Sequence, residues 1–331
     1  MTLGAGSPVM TPETRTYVAG HRGMVGSAVL RRLTRSGYHN VITRTSSELD
    51  LRDQAAVDAF FDRERPEVVV LAAARVGGIL ANSTYPADFL HDNLRIGLNV
   101  IDAAFRFGAR KLLNLGSSCI YPRLAPQPLK EEYLLTGPLE ETNRAYAVAK
   151  IAAIELCDAY RRQHGADFVS AMPTNLYGPG DNFDLQGSHV VPALLRKMHE
   201  AKEAGARSVE VWGSGTPRRE FLHVDDLADA CLFLLQNVSV PGPINVGTGE
   251  DVTIRELAEL IRDVVGFEGS LEFDASKPDG TPRKLMDVGL LSGLGWHARI
   301  GLREGIEATY RWFVENRADA RGVARAVGST A

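Results

Sequence analysis

The chain predicts an α/β fold, a Rossmann-type doubly wound parallel sheet with a smaller mixed C-terminal substrate domain. Three observations carry it. Short apolar, β-branched runs alternate strictly with longer segments whose apolar residues recur every three to four positions. A glycine-rich turn lies between the first run and the first such segment. Beyond about residue 178 the alternation loosens, and the loops fill with Gly, Pro and basic residues. Strand, helix and strand in strict alternation imply right-handed crossovers and a parallel sheet covered on both faces.

The strands expected, in order, are TYVAG (16–20), NVITRT (40–45), EVVVLAAA (67–74), KLLNLGSS (111–118) and DFVSAMPTNLYG (167–178). Between them MVGSAVLRRLTRSG, DQAAVDAFFDRER, PADFLHDNLRIGLNVIDAAFRFG and YAVAKIAAIELCDAYRRQHG read as helices, with Gly37, Gly108 and Gly165 where helix stops belong. INVGTG (244–249) reads as one more buried strand returning to the sheet, and LEFDASKPDGTPRK (271–284) as surface loop. The chain thus divides into a leader (1–14), a nucleotide domain (15–178, with 223–248 returning to it), a substrate domain (179–222 and 249–318) and a flexible tail (319–331).

Hydrophobic residues make up 44% and charged residues 24% of 331, with no run of eighteen apolar residues, so a soluble globular protein without a membrane span is expected. The first residues lack a basic start followed by an apolar core, and Cys119, Cys157 and Cys231 are odd in number and widely spaced. Both point to a reducing, cytoplasmic setting and against a metal site. With 37 basic against 41 acidic residues, the net charge of −4 offers no general attraction for nucleic acid, so an anionic ligand needs a local basic cluster.

In YVAGHRGMVGSAVL, Gly20, Gly23 and Gly26 recur every three residues between the first strand and the first helix. Glycines there allow a tight turn and close approach of a pyrophosphate to the helix N-terminus, the context of a dinucleotide site. The second strand ends TRTSSELD, with Arg44 where an NAD site usually carries an acid. Arg22 and Arg44 lie on both sides of the expected adenosine pocket and suit the additional phosphate of NADP, so NADP(H) is the expected cofactor. The bland alternative is two solvated arginines. Asp50 and Leu51 fall where an adenine edge would lie, unless either caps the next helix.

Tyr146 and Lys150 in YAVAK are four residues apart and share a helix face. A lysine one turn away, with a nicotinamide ribose and an oxidised ring, would lower the phenol's pKa and help it deliver a proton to a carbonyl oxygen. Ser117 and Ser118 stand at the carboxyl end of a parallel strand, the edge where open α/β sheets bind ligands.

Glycine loop, serine strand and YxxxK helix resemble the short-chain dehydrogenase/reductase superfamily, and the longer second half resembles its extended, nucleotide-sugar branch. AGHRGMVGSA, LAAARVGGI with NSTYPADF, LGSSCIYP, YAVAKIA, MPTNLYGPGDNF, SHVVPALL, VWGSGTPRREFLHVDD, INVGTG and DASKPDGTPRK together resemble the GDP-L-fucose synthase family, from about Tyr17 to about Asn316. The family often has a second arginine two residues after Arg44, where this chain has Ser46, which narrows the margin for NADP over NAD.

The resemblance implies epimerisation at the third and fifth sugar carbons of GDP-4-keto-6-deoxy-D-mannose, followed by NADPH reduction of the ketone at the fourth. Cys119 would be the base and His189 the acid, since nearby positive charge favours a thiolate and imidazole donates near neutral pH. For Cys157 and Cys231 the buried structural reading holds. Ser117 and Tyr146 would bond the ketone oxygen, and Lys150 would hold the ribose. Cofactor contacts are implied along the loop at Gly20, His21, Arg22, Gly23, Met24, Val25 and Gly26. Others are implied at Arg44, Asp50 and Leu51, at Leu115, Gly116 and Ser118, and at Lys150 and His189. Pro173, Thr174, Asn175 and Leu176 complete that set. Asn175, Lys197, Trp212, Arg219 and Asp279 are implied to hold the GDP-sugar, with Arg218 and Lys284 read as solvated surface. Relatives imply a homodimer bundled through the two long helices. The rival readings are another extended nucleotide-sugar epimerase or dehydratase and a non-catalytic NADP sensor. A dehydratase usually shows an acid pair beside the serine, where this chain has Ser118 and Cys119, and a sensor usually shows an eroded Tyr-Lys pair.

Overall fold

A computed structural model describes residues 10–323 apart from 186 and 278; the parts of the expected leader and tail at 1–9 and 324–331 lie outside the described residues. The first half runs β1 (Thr16–Ala19), α1 (Met24–Arg35), β2 (Val41–Ile42), α2 (Gln54–Glu64), β3 (Val68–Leu71), α3 (Ile79–Thr84), α4 (Pro86–Arg106), β4 (Lys111–Leu115), α5 (Arg144–His164) and β5 (Asp167–Pro173). Residues of β1, β3 and β4 are buried without alternation, as strands covered on both faces must be. Pro86 opens α4 at a position where its missing N–H costs nothing, and Gly165 (φ 71°) closes α5 in the left-handed conformation.

The second half continues with β6 (Asn175–Tyr177), α6 (Val190–Glu203), β7 (Ser208–Trp212), β8 (Arg218–Arg219), β9 (Phe221–His223), α7 (Val224–Asn237), β10 (Pro243–Val246), β11 (Val252–Thr253), α8 (Ile254–Val265), β12 (Ser270–Asp274), β13 (Arg283–Lys284), α9 (Gly289–Gly293) and α10 (Leu302–Glu315). One six-stranded sheet, ordered β10-β5-β4-β3-β1-β2 and parallel throughout, forms the centre. On one face α1 and α7 bury Val29, Leu33, Leu227 and Leu234. On the other, α2, α4 and α5 bury Val57, Phe61, Val100 and Cys157. A separate core of Phe183, Leu195, Val211, Ile261, Ile306 and Phe313 supports the second half. Residues 224–246 supply α7 and β10 to the first unit, so the chain crosses between the two more than once.

Several boundaries differ from the sequence expectation. The run 167–178 is two strands: Thr174 N donates to Val246 O (3.0 Å), and β6 leaves the central sheet to pair with β9. The stretch 271–284 is not all loop, because β12 pairs with β7 and β13 with β8. Packing reaches into the expected leader and tail: Met10 and Ala320 are buried, and Phe183 N donates to Arg321 O (2.8 Å). Among the described residues no helix is long and apolar enough to cross a membrane. Parallel strands bring the segments after β1, β4, β5 and β10 to one edge of the sheet, which is where the chemistry-bearing residues gather.

Candidate active site

The glycine loop forms a cradle at the end of β1. Gly20 adopts φ 87°, and a Cβ there would lie 2.8 Å from Ala73 backbone, so only glycine fits. Gly23 N donates to Gly20 O (2.9 Å) and Gly23 is the N-cap of α1, with no side-chain cap bond. The first-turn amides of α1 are thereby left for an anion. On the same loop His21 presents a buried Nδ1 that has no partner among the described residues. Arg22 is exposed, and Arg22 and Arg44 both act on Glu48, whose pKa is lowered chiefly by hydrogen bonds from Thr45 and then by these two charges. These residues fit a dinucleotide with an extra phosphate. Arg44, however, is not a free cation: its Nη2 lies 2.7 Å from Glu64 Oε1, and its guanidinium stands 5.6 Å from the Phe60 ring centroid.

Asp50 is bound to Arg52 (2.8 Å), which holds its carboxyl below the ordinary range, and Leu51 O accepts from Asn99 Nδ2 (2.9 Å). Neither caps α2. That role belongs to Asp53, whose side chain accepts from Ala56 N (3.1 Å).

At the end of β4 the chain turns sharply. Ser117 precedes the 3₁₀ turn Ser118–Ile120, and its Oγ accepts from Cys119 N (3.4 Å). Gly116 is required beneath it, since a Cβ would overlap the Met172 thioether. Ser118 is buried, whereas Ser117 and Cys119 are half-buried at the rim. On α5, Lys150 Nζ donates to Leu115 O (2.8 Å) and lies 5.8 Å from the Tyr146 ring centroid. This bond fixes the lysine beneath the strand end from which Ser117 projects.

Burial pulls the Lys150 pKa down to about 8, with the Cys119 charge opposing. Burial pushes the Tyr146 phenol up, and the Cys119 charge adds to it. The sequence expectation of a lowered phenol pKa is therefore not met by the protein alone, because burial and the Cys119 charge both act against ionisation. A phenol held protonated is still ready to donate.

His189 is the N-cap of α6, yet its side chain makes no cap bond, so the local-bond alternative fails. It retains solvent exposure at the cleft wall, while desolvation by surrounding protein, and then the Lys284 charge, lower its pKa and favour the neutral ring. Lys284 in turn feels Cys119 and Arg219, and burial lowers its pKa. The reading of Lys284 as solvated surface is thus wrong: β13 carries it into the site. Arg218 is engaged with Asp251 (2.8 Å) and remains structural.

The expected nucleotide-sugar residues assemble on the second half. Lys197 Nζ lies 5.1 Å from the Trp212 ring centroid, and Lys277, which the sequence did not single out, lies 5.7 Å from it. Trp212 is 54% exposed, a planar surface open to a ligand. Arg219 pairs in register with Lys284 across β8 and β13, and burial lowers its pKa against the opposing charge of Asp279. The carboxylate of Asp279 is occupied by Ser214 N (2.7 Å) and Ser214 Oγ (2.8 Å), closing the loop rather than standing free. Asn175 Nδ2 donates to Glu220 O (2.7 Å). Cys157 and Cys231 are buried, and burial raises both to about 12, which leaves them inert.

The family model of the NAD dependent epimerase/dehydratase family matches residues 16–247. A protein of Oryza sativa subsp. japonica, "Probable GDP-L-fucose synthase 1", is 60% identical over 93% of this chain and 94% of its own. The "GDP-L-fucose synthase" of Escherichia coli (strain K12) is 56% identical over 94% of this chain and 99% of its own. A crystal structure of a GDP-L-fucose synthetase from Naegleria fowleri bound to NADP superposes with a TM-score of 0.87, at 31% identity, covering 95% of this chain and 98% of that one. The chain belongs to the NAD dependent epimerase/dehydratase family and, within it, to the GDP-L-fucose synthases.

Proposed function

We propose that the chain converts GDP-4-keto-6-deoxy-D-mannose to GDP-L-fucose, by epimerisation at the third and fifth sugar carbons and reduction of the ketone at the fourth. The names of its relatives support this reading. The observation that carries it is the placement of Cys119 two residues from Ser117, on the same 3₁₀ turn, within electrostatic reach of Tyr146, Lys150 and Lys284. A plain ketoreductase needs only the serine, tyrosine and lysine.

NADP(H), when bound, supplies the hydride that reduces the ketone carbon. The loop from Gly20 to Gly26 and the start of α1 would hold its diphosphate, and Arg22 and Arg44 its extra phosphate. Thr174 and Asn175 at the end of β5, with Lys150 on α5 beneath the end of β4, would face its nicotinamide side. Ser117 and Tyr146 bond the ketone oxygen. That oxygen carries negative charge both when a proton leaves a neighbouring carbon and when hydride arrives, so the same donors serve both reactions. Cys119 Sγ takes the proton from carbon, and His189 returns one on the opposite face. For the reduction, the Tyr146 phenol gives its proton to the oxygen. Burial and the Lys284 charge both oppose protonation of His189, so the ring has to take up its proton before it can return one.

Arg219 and Lys284 provide a paired cationic seat for the GDP diphosphate, with Trp212 and Lys197 beside the base. Leu94, Leu98 and Val148 are exposed on α4 and α5. An apolar stripe of this kind supports a homodimer formed through these two helices. The three unpaired cysteines suit a reducing compartment, and we place the enzyme in the cytoplasm.

The test is to supply GDP-4-keto-6-deoxy-mannose with NADPH and follow both cofactor oxidation and product stereochemistry. Oxidation of NADPH with formation of the L-fuco sugar is expected. Reduction without inversion, or no oxidation, would defeat the assignment. Cys119→Ser should keep NADPH binding while losing solvent-deuterium exchange at the fifth carbon; full exchange would remove Cys119 as base.

A further inference from the structure

We infer that Glu220, a buried carboxylate that touches neither the reacting atoms nor the cofactor loop, is the positioning residue that sets Arg219 and Lys284 for the GDP diphosphate. The inference rests on the reading that these two cations seat the diphosphate.

Glu220 lies between β8 and β9 and is completely buried. Charged residues are almost never buried so fully unless each polar atom is satisfied, and here each is. Oε1 accepts from Thr248 N (2.6 Å) and Gly249 N (2.8 Å), on the turn that follows β10. Oε2 accepts from Met286 N (2.8 Å), two residues beyond Lys284. The main chain is equally committed: Glu220 N donates to Lys284 O (3.3 Å), and Glu220 O accepts from Asn175 Nδ2 (2.7 Å) and Thr174 Oγ1 (3.4 Å). One residue therefore ties the ends of β5 and β10, at the edge of the central sheet, to the two short strands that carry the cations.

Arg219 and Lys284 stand in register on neighbouring parallel strands, and each strand is only two residues long. Like charges so placed repel, and a two-residue ladder has little strength of its own to hold them. The carboxylate beneath supplies that strength. Burial raises its pKa, while the amide donors oppose the shift by favouring the ionised form. It neutralises neither cation directly, because both its oxygens are turned to the amides of 248, 249 and 286, and the Arg219 guanidinium lies over the 279–280 loop instead. Gly247 confirms how closely the group is enclosed: a Cβ there would overlap Glu220 Oε1.

The experiment measures GDP affinity by calorimetry, together with kcat and KM for the ketosugar and the NADPH dissociation constant. For Glu220→Gln the amide turns N–H groups toward backbone N–H donors. GDP binding is expected to weaken at least tenfold and KM to rise in parallel, with kcat within threefold and NADPH affinity within twofold of the parent. Gly247→Ala, which displaces the carboxylate without removing it, should shift GDP binding in the same direction, and it answers the question if Glu220→Gln does not fold. Ile261→Val, in the core of the second half, serves as a destabilised control whose GDP affinity stays unchanged. Parental GDP affinity in a folded Glu220→Gln or Gly247→Ala protein overturns the proposal, as does an equal loss in Ile261→Val. Arg219→Met separates the two layers: if it binds GDP like the parent, the diphosphate seat itself is misplaced, whatever the Glu220 variants do.

Discussion

On one wall of the cleft, Ser117, Cys119, Tyr146 and Lys150 hang from the end of a single buried strand and one face of a single long helix. On the other, Lys197, Trp212, Arg219, Asp279 and Lys284 come from a helix, three strands and a loop, two of those strands only two residues long. The first wall is rigid by virtue of regular structure, and one hydrogen bond, Lys150 to Leu115 O, is enough to lock it. The second is held by individually placed polar contacts, such as Ser214 to Asp279 and Asn175 to Glu220. On the proposed assignment, chemistry that needs fixed angles falls on the first wall, and recognition, which tolerates a looser scaffold, on the second.

The largest effect expected is on the first wall. Tyr146→Phe removes the proposed proton donor and should lower kcat by about 10²–10⁴, while GDP and NADPH affinities remain those of the parent. Rapid-mixing measurement of NADPH oxidation checks it. A fall of less than about tenfold would place the acid elsewhere.

Lys150 sharpens the contrast through pH. Its folded pKa, about 8 against an ordinary 10.5, means that the unfolded chain binds more protons than the native one between those values. Native stability from this group therefore rises as pH rises from about 8 toward 10.5, and the cost of burying a charged lysine is present in full below pH 8. Lys150→Met should abolish turnover yet raise the melting midpoint at pH 7. The gain is at most about 3 kcal/mol, less about 1 kcal/mol for the lost bond to Leu115 O. The difference from the parent should shrink by pH 10. A variant equally destabilised at both pH values would show that the lysine acts only as packing.

Much of the first wall was legible in the sequence because its residues obey a period. Four-residue spacing put Tyr146 and Lys150 on one face, and an unbroken apolar run ending in Gly-Ser-Ser placed Ser117 at a strand end. The second wall has no period to read. Lys284 sits on a strand too short to alternate, inside a stretch whose Gly and Pro content reads as loop, so its charge looked solvated. Glu220 did leave a signal: an acid between Arg219 and the apolar Phe221-Leu222 can enter a buried strand only with partners waiting. Those partners, at 248, 249 and 286, are separated from it by 28 to 66 residues, and no local pattern reveals them.

Trp212→Ala probes the looser wall. The indole carries two ammonium groups near its faces but is more than half exposed, so its removal should leave the melting midpoint close to the parent's. GDP affinity should fall about tenfold, the scale of a stacking surface in nucleotide sites, with kcat unchanged. Calorimetry with GDP decides it, and a loss of kcat without a loss of affinity would move Trp212 into the catalytic set.

The smallest effect is expected at Arg44, although it is the cation that sequence alone made most prominent. A guanidinium free in solution that gained a phosphate would contribute about 1.5–3 kcal/mol. Arg44 is not free, since Glu64 already occupies one edge of it at 2.7 Å. Binding the extra phosphate must share or break that half-buried pair, which puts its worth at the upper end of the surface range, about 1 kcal/mol. The difference leaves about 0.5–2 kcal/mol, so Arg44→Ala should weaken NADPH about fivefold, near the middle of that range, and leave NADH unchanged, as read from quenching of protein fluorescence. Glu64→Gln should move NADPH the other way by a similar factor, because the guanidinium then loses the carboxylate bonded to it. If both variants leave the ratio of NADPH to NADH affinity untouched, the extra phosphate is held by Arg22 and the loop amides, and the cofactor preference lies on the glycine turn rather than at the end of β2.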